Sequence, residues 1–339
     1  MVTPVISDGY QIGNIIFGKS GTIPASTMKK LNFLISLTNN DNDYQLEQAT
    51  SAQQTAQKLG IDLRILYADN DSITQSQQIL QVIQSHSNAH PDAIIFEPVG
   101  GTALPHVARA SAAAGIGWVV LNRDAEYISE LRKTHRVPIF AITSDHEEIG
   151  RIQGRQLAAL LPNAGSVFYI QGPSESLAAK QRTSGMYETK PIEIQIKLMK
   201  ANWTEAGAMR AVSSWLRLST SHQSNIDVIA AQDDSMALGA RKAFQELPPG
   251  ATRDRWLGLP YLGCDGLPQS GQAWIKQGLL TATIYNPPNT GLAIEMMMKA
   301  LHTGNIPPER SLTQPSSIPA LNALAGAAQK AKKFSAGHL

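Results

Sequence analysis

Polar side chains able to make paired hydrogen bonds recur in this chain just after short apolar runs. They are Asn40, Asn42, Tyr44, Asn122, Arg123, Asp145, Arg182, Trp203, Asp233, Asp265 and Asn286. Amides, carboxylates and guanidinium groups are planar and bond hydroxyls in pairs, while aromatic faces cover apolar C–H patches. The set suits a polyhydroxylated ligand such as a sugar. A site of this kind discriminates among analogues, because a missing hydroxyl leaves a buried polar group unpaired. Bond-breaking chemistry has less support. The eight histidines show no metal-ligand spacing, so each is expected to be structural or solvated. Gly172-Pro173-Ser174-Glu175-Ser176 lacks the glycine spacing of a nucleophile elbow. With no general base and no metal set, the reading is binding rather than catalysis, without a cofactor.

One motif points elsewhere. Gly13-Asn14-Ile15-Ile16-Phe17-Gly18-Lys19-Ser20 matches the phosphate-loop pattern. A phosphate cradle must open a helix whose amides face the phosphates. Gly21-Thr22-Ile23-Pro24 follows instead and continues a helix poorly.

The elements that would position the polar set alternate along the chain. Val228 to Ala231 reads as a strand, Gln232-Asp233-Asp234-Ser235 as a corner, and Met236-Ala237-Leu238-Gly239-Ala240 as the start of a helix. One aspartate is expected to cap that helix. The other is left at the strand's carboxyl end, where open α/β sheets take their ligands. Similar strand, corner and helix units run from Leu31 to Leu301, with strands expected at Leu31–Leu37, Leu63–Tyr67, Ala93–Phe96, Trp118–Leu121, Ile139–Thr143, Val167–Gln171, Glu193–Ala201, Tyr261–Cys264 and Thr281–Tyr285. Short connections between strand and helix predict parallel sheets with helices on both faces. Asn40 is read as a turn residue, Trp118 as core, and Trp215 and Trp256 as packing or surface. Asp145 precedes a helix and is read both as its cap and as a ligand contact.

The chain has 339 residues, 42% of them hydrophobic, which predicts about two domains with real cores. Its 29 basic residues are scattered and its formal net charge is +2, which argues against a nucleic-acid surface. The runs Lys29-Lys30 and Lys330 to Lys333 read as solvated ends. Cys264 is the single cysteine; it sits in an apolar run and reads as a buried small hydrophobe. No apolar run is long enough to span a membrane. Met1 to Thr27 lacks the basic opening and apolar core of a secretory signal, and stands as an extension of unknown role.

Seven local patterns in order over most of the chain carry a resemblance. They are Thr38-Asn39-Asn40 with a helix ending Lys58-Leu59-Gly60; Leu121-Asn122-Arg123; Ser144-Asp145 before Gly150; Arg182 followed by Gly185; Ala231-Gln232-Asp233-Asp234 before Met236-Ala237-Leu238-Gly239-Ala240; Gly263-Cys264-Asp265-Gly266; and Leu280-Thr281-Ala282-Thr283-Ile284. From about Met28 to Ala320 the chain resembles the type I periplasmic binding proteins for sugars, in particular the ribose-binding branch, whose fold is shared with the effector domains of LacI-type repressors.

The resemblance implies two doubly wound, Rossmann-like α/β lobes with parallel sheets and a three-strand hinge. One lobe would hold residues 28–143 and 287–311, the other 144–286 and 312–339. The implied site is Asn42 (amide), Tyr44 (stacking aromatic), Asn122, Arg123 and Arg182 (bonding oxygens), Trp203 (aromatic wall), Asp233, Asp265 (bonding hydroxyls) and Asn286 (amide beside the hinge), with Asp145 as a further contact. Asn122 stands where ribose binders have Asp, Asp233 where they have Asn, and Gln45 where a second stacking aromatic is usual. The implied ligand is therefore a pentose, hexose or polyol other than ribose. The implied role is the periplasmic (or extracellular, membrane-associated), monomeric solute-binding component of an ABC sugar importer, with a membrane permease or chemoreceptor as partner. The alternative is a sugar-sensing effector domain of a LacI-like regulator, chemoreceptor or sensor kinase. A repressor needs a helix-turn-helix ahead of the lobes, and Met1 to Thr27 is short and rich in Gly and Pro.

Overall fold

The computed structural model describes residues 30–85, 90–100, 103–222 and 224–326. The phosphate-loop match, the extension to Thr27 and the Lys330 to Lys333 run lie outside the described residues. In chain order the elements are β1 (Asn32–Leu37), α1 (Asp43–Leu59), β2 (Asp62–Tyr67), α2 (Ser72–Ile83), β3 (Ala93–Phe96), α3 (Pro105–Ala113), β4 (Gly117–Leu121), α4 (Tyr127–Thr134), β5 (Ile139–Ser144) and α5 (His146–Leu160). There follow β6 (Gly165–Gln171), α6 (Leu177–Thr189), β7 (Ile194–Lys200), α7 (Glu205–Leu216), α8 (Ser219–His222), β8 (Val228–Ala231), α9 (Asp234–Gln245) and α10 (Ala251–Leu257). The series ends with β9 (Tyr261–Leu262), α11 (Gly271–Lys276), β10 (Thr283–Tyr285), α12 (Thr290–Thr303), β11 (Arg310–Thr313) and β12 (Ser316–Ile318).

Two sheets organise these elements. The first has the order β2-β1-β3-β4-β5-β11, with every pair parallel. The second has β7-β6-β8-β9 in parallel. It is extended by parallel bridges from Leu262 to Ala282 and from Asp265 to Tyr285, and by β12 antiparallel on β10. Both sheets therefore follow the same doubly wound order, and this is the α/β architecture that the sequence predicts.

Both faces of each sheet are covered, which is why the strands are apolar without alternation. On the first sheet, Leu34, Ile94, Phe96, Trp118 and Val120 pack towards α2, α3 and α4, while Phe33, Ile35, Ile95 and Val119 pack towards α1 and α12. On the second, Phe168, Ile170 and Ile229 face α7 and α9, and Val167, Tyr169 and Val228 face α5 and α6. Trp118, Trp215 and Trp256 are all core, and Cys264 is fully buried.

The chain crosses between sheets three times: after Ser144, from Tyr285 to Thr290, and between β11 and β12. Leu312 pairs with Thr143 inside the first sheet, so the third crossing follows Thr313, slightly later than the predicted boundary at 312. No helix among the described residues is long and apolar enough to cross a membrane.

Candidate functional site

Side-chain caps gather at the carboxyl edges of the sheets. Asn42 Oδ1 accepts from the amides of Tyr44 and Gln45 at the start of α1, Asp145 Oδ1 from Glu148 at α5, Thr204 Oγ1 from Gly207 at α7, and Asp233 Oδ1 from Met236 at α9. Each offsets unpaired amides of a first turn. Because strands end and helices begin along the same edges, a residue that caps a helix there can also face the space between the lobes.

That space is a cavity of about 560 Å³ lined from both lobes. Asn42, Tyr44, Asn122, Arg123, Arg182, Trp203, Asp233, Asp265 and Asn286 all line it. Asp145 is not among the lining residues; its carboxylate accepts from the Glu148 amide at 2.9 Å as the cap of α5.

The first lobe supplies Tyr44, Glu97, Asn122 and Arg123. The Tyr44 hydroxyl donates to the Pro287 carbonyl at 3.4 Å, and burial, with Glu97 and Asp265 nearby, keeps the phenol protonated. Glu97 accepts from Gln48 Nε2 at 3.4 Å; burial raises its carboxyl, opposed by Gln45, Asn122, Gln48 and the Arg123 guanidinium. Asn122 adopts a left-handed backbone with φ 56°, which Asn tolerates better than most residues. Its Oδ1 accepts from Asn289 Nδ2 at 2.7 Å, and Asn289 is in turn bonded to Gln48. A buried amide chain thus fixes Asn122 from behind.

The second lobe supplies Arg182, Trp203, Asp233 and Asp265. The Arg182 guanidinium donates to the Gln232 carbonyl, lies 3.9 Å from Asp265 Oδ1, and sits 5.6 Å from the Trp203 ring centroid. Gly172 lies under that indole, where a Cβ would clash with the ring. Gln232 positions the Gly172 loop by accepting from its amide at 2.9 Å. Asp233 and Asp265 both line the cavity. Burial is the main cause that lifts both carboxyls above their usual range; for Asp233, Asp265 adds to the rise, and for Asp265, Arg182 opposes it. Asn286 joins the lobes, its Oδ1 accepting from Ser144 Oγ at 2.6 Å.

The aspartate pair resolves differently from the division expected at that corner. Asp233 both caps α9 and lines the cavity. Asp234 turns into the protein, where it accepts from the Gly266 amide at 2.8 Å and from Thr283 Oγ1 at 2.6 Å.

Glu97 and His146 are among the cavity residues absent from the predicted set. Glu97 follows β3 directly, and its place at a strand end was the available signal. His146 also lines the cavity; its place just after the Asp145 cap was the signal. Among the described residues no group of three or more His, Cys, Asp or Glu could hold a metal ion.

Residues 33–305 match the model of the periplasmic binding protein domain. The chain belongs to the periplasmic binding protein family. Curated relatives include the ribose import binding protein of Salmonella typhimurium, 24% identical over 270 residues, covering 80% of this chain and 84% of that protein. The D-apiose import binding protein of Paraburkholderia graminis is 26% identical over 316 residues, covering 91% and 92%. The xylitol-binding protein of Mycolicibacterium smegmatis is 30% identical over 217 residues, covering 62% of this chain and 55% of that protein. Among solved structures, an ABC transporter periplasmic solute-binding protein from Actinobacillus succinogenes with bound D-allose superposes with a TM-score of 0.73 at 23% identity, covering 85% of this chain and 97% of that one. A solute-binding protein from Bacillus halodurans with bound myo-inositol gives 0.71 at 20% identity, covering 90% and 100%. These superpositions establish the type I fold of this periplasmic binding protein.

Proposed function

We propose that the chain is the solute-binding component of an ABC-type importer and takes one monosaccharide or polyol into the interlobe cavity. The observation that carries this reading is the lining: two aromatic residues, Tyr44 and Trp203, together with guanidinium, carboxylate and amide groups contributed by both lobes around about 560 Å³. That volume lies within the usual range for small-molecule sites. The curated relatives named for ribose, apiose and xylitol support the ligand class. Contacts from both lobes favour the arrangement in which the lobes meet, and a membrane permease in contact with the periplasm would read that arrangement.

Thermal unfolding against a panel of pentoses, hexoses, polyols and furanoses tests the reading. A ligand at a hundred times its dissociation constant stabilises the native state by about 2.7 kcal/mol. A clear shift with one member is expected, and Arg182→Ala and Asp265→Ala are expected to abolish it. A folded, ligand-free protein that responds to no member would overturn the proposal.

A further inference from the structure

Glu97 follows β3 and lines the cavity, where it is partly exposed. The groups around it are fixed in polarity. The backbone amides of Asn289 and Thr290 donate to Gln48 Oε1 at 2.9 and 3.1 Å. A backbone amide can only donate, so Gln48 has its Nε2 left for other partners. That nitrogen donates to Asn289 Oδ1 at 2.7 Å and to Glu97 Oε2 at 3.4 Å. Asn289 Nδ2 in turn donates to Asn122 Oδ1 at 2.7 Å, which leaves Asn122 its own Nδ2. Gln45 Oε1 accepts from the Thr38 amide at 3.2 Å, which leaves Gln45 its Nε2. The Gln45 and Asn122 amides, like that of Gln48, stabilise the ionised form of Glu97. A protonated carboxyl would need an acceptor, and the oxygens of all three amides already accept elsewhere. The surroundings therefore fit a carboxylate.

These amides supply no charge. Asp265 has Arg182 at 3.9 Å, and Asp124 has Arg310 at 2.6 Å. Among the described residues no such ion pair reaches Glu97; Arg123 acts on it through space. The cavity as a whole repeats the imbalance. Six carboxylates line it (Asp41, Glu97, Asp124, Glu175, Asp233 and Asp265) against three guanidinium groups (Arg123, Arg182 and Arg310). Buried charges are ordinarily paired. Burial raises the carboxyl pKa of Glu97, Asp233 and Asp265, and a cation in contact would lower it again. A neutral sugar leaves the surplus of anions in place. A ligand with one positive charge reduces the surplus and supplies the partner that Glu97 lacks.

We infer that Glu97 pairs with a protonated amine on the ligand, so that the cavity takes an aminated monosaccharide or aminated polyol. The inference rests on the solute-binding reading above and deepens it by naming the ligand class and a specificity-determining residue.

Calorimetric titration tests it. The probes are the panel member with the largest thermal shift, its monoamino analogues with one hydroxyl replaced at each position in turn, and glucosamine, galactosamine and mannosamine. One monoamino analogue is expected to bind wild type about tenfold or more tighter than its hydroxyl parent, because a charge-assisted hydrogen bond is about twice as strong as a neutral one. In Glu97→Gln the ratio of the two affinities is expected to fall to about one. If no amine outbinds its hydroxyl parent in wild type, the inference is overturned and the solute-binding reading stands. A preference for the amine that survives in Glu97→Gln would also overturn it, by assigning the cation to another carboxylate. If Glu97→Gln melts early in the absence of ligand, wild type is titrated with the N-acetyl form of the preferred amine, which keeps the position and loses the charge. An N-acetyl form that binds as tightly as the amine would then overturn the inference. Wild-type protein that binds neither neutral nor aminated probes would remove the solute-binding reading and this inference together.

Discussion

Asp233 and Asp234 are chemically identical neighbours with opposite duties. Asp233 leaves the end of β8 in an extended conformation and Asp234 opens α9; the first side chain meets the cavity and the second the interior. Local sequence distinguishes them poorly, because either could cap a helix. Their consequences differ. Asp234→Ala removes the acceptor for two buried donors, on Gly266 and Thr283, and is expected to cost about 2–4 kcal/mol in denaturant unfolding. Asp233→Asn keeps the cap, since Asn and Asp cap equally well, and tests the buried charge. The folded pKa of Asp233 is raised chiefly by burial, so its proton is held more tightly in the folded protein than in the unfolded chain. The stability it contributes is complete below the ordinary carboxylate value and is lost as pH rises through the raised one. The stability of Asp233→Asn relative to wild type should therefore climb as pH increases from about 4 through neutrality. A flat difference across that range in paired thermal melts would refute the argument.

At the scale of elements, the approach of α5 to α6 links packing to the site. Gly150 on α5 lies against the Arg182 carbonyl, and Gly185 on α6 against the Glu147 carbonyl; a Cβ at either would overlap the facing backbone. This gives a physical reason for two sequence patterns, a glycine five residues after Asp145 and another three residues after Arg182. Gly150→Ala should push α6 outwards and carry Arg182 with it, costing about 1–3 kcal/mol of stability together with a loss of sugar affinity. Retained affinity in a destabilised variant would show that α6 yields without moving its arginine. Several long elements were legible because they carry a cap, a run of buried positions and a stop, as α1 does from Asn42 to Gly60. Four short elements were not. Helix α4 has eight residues with only Tyr127, Ile128 and Leu131 buried, and α10 buries only Trp256. Strands β11 and β12 are largely exposed and are defined by partners far away in sequence, which local periodicity does not report. The candidate site was legible to the extent that strand ends were: His146 and Glu97 were passed over because a histidine after a cap and a glutamate before a proline resemble ordinary corner residues.

At the scale of the molecule, Asn42 reaches from the first lobe to the second. Its Nδ2 donates to the Trp203 carbonyl at 3.1 Å while its Oδ1 caps α1. Asn42→Asp keeps the cap and removes the donor. Ligand affinity is expected to drop by about tenfold, the equivalent of 1.4 kcal/mol, with the ligand-free melting temperature nearly unchanged. Small-angle scattering should then show a larger radius of gyration at subsaturating ligand than wild type has. Identical affinity would show that this bond does not favour the meeting of the lobes.

The placement of β11 and α12 in the first lobe also dictates an order of events. Helix α12 supplies Ala293, Ile294 and Met297 to the face of the first sheet that α1 covers, and β11 completes that sheet's edge on β5. Both come after the strands β6 to β10 of the second sheet. A ribosome making this chain must therefore deliver residues to Thr313 before the first lobe has all of its parts, and to Ile318 before the second sheet has its last strand, so neither lobe can be complete until β11 and β12 have been made. No single cut in the chain separates the two lobes into self-sufficient halves.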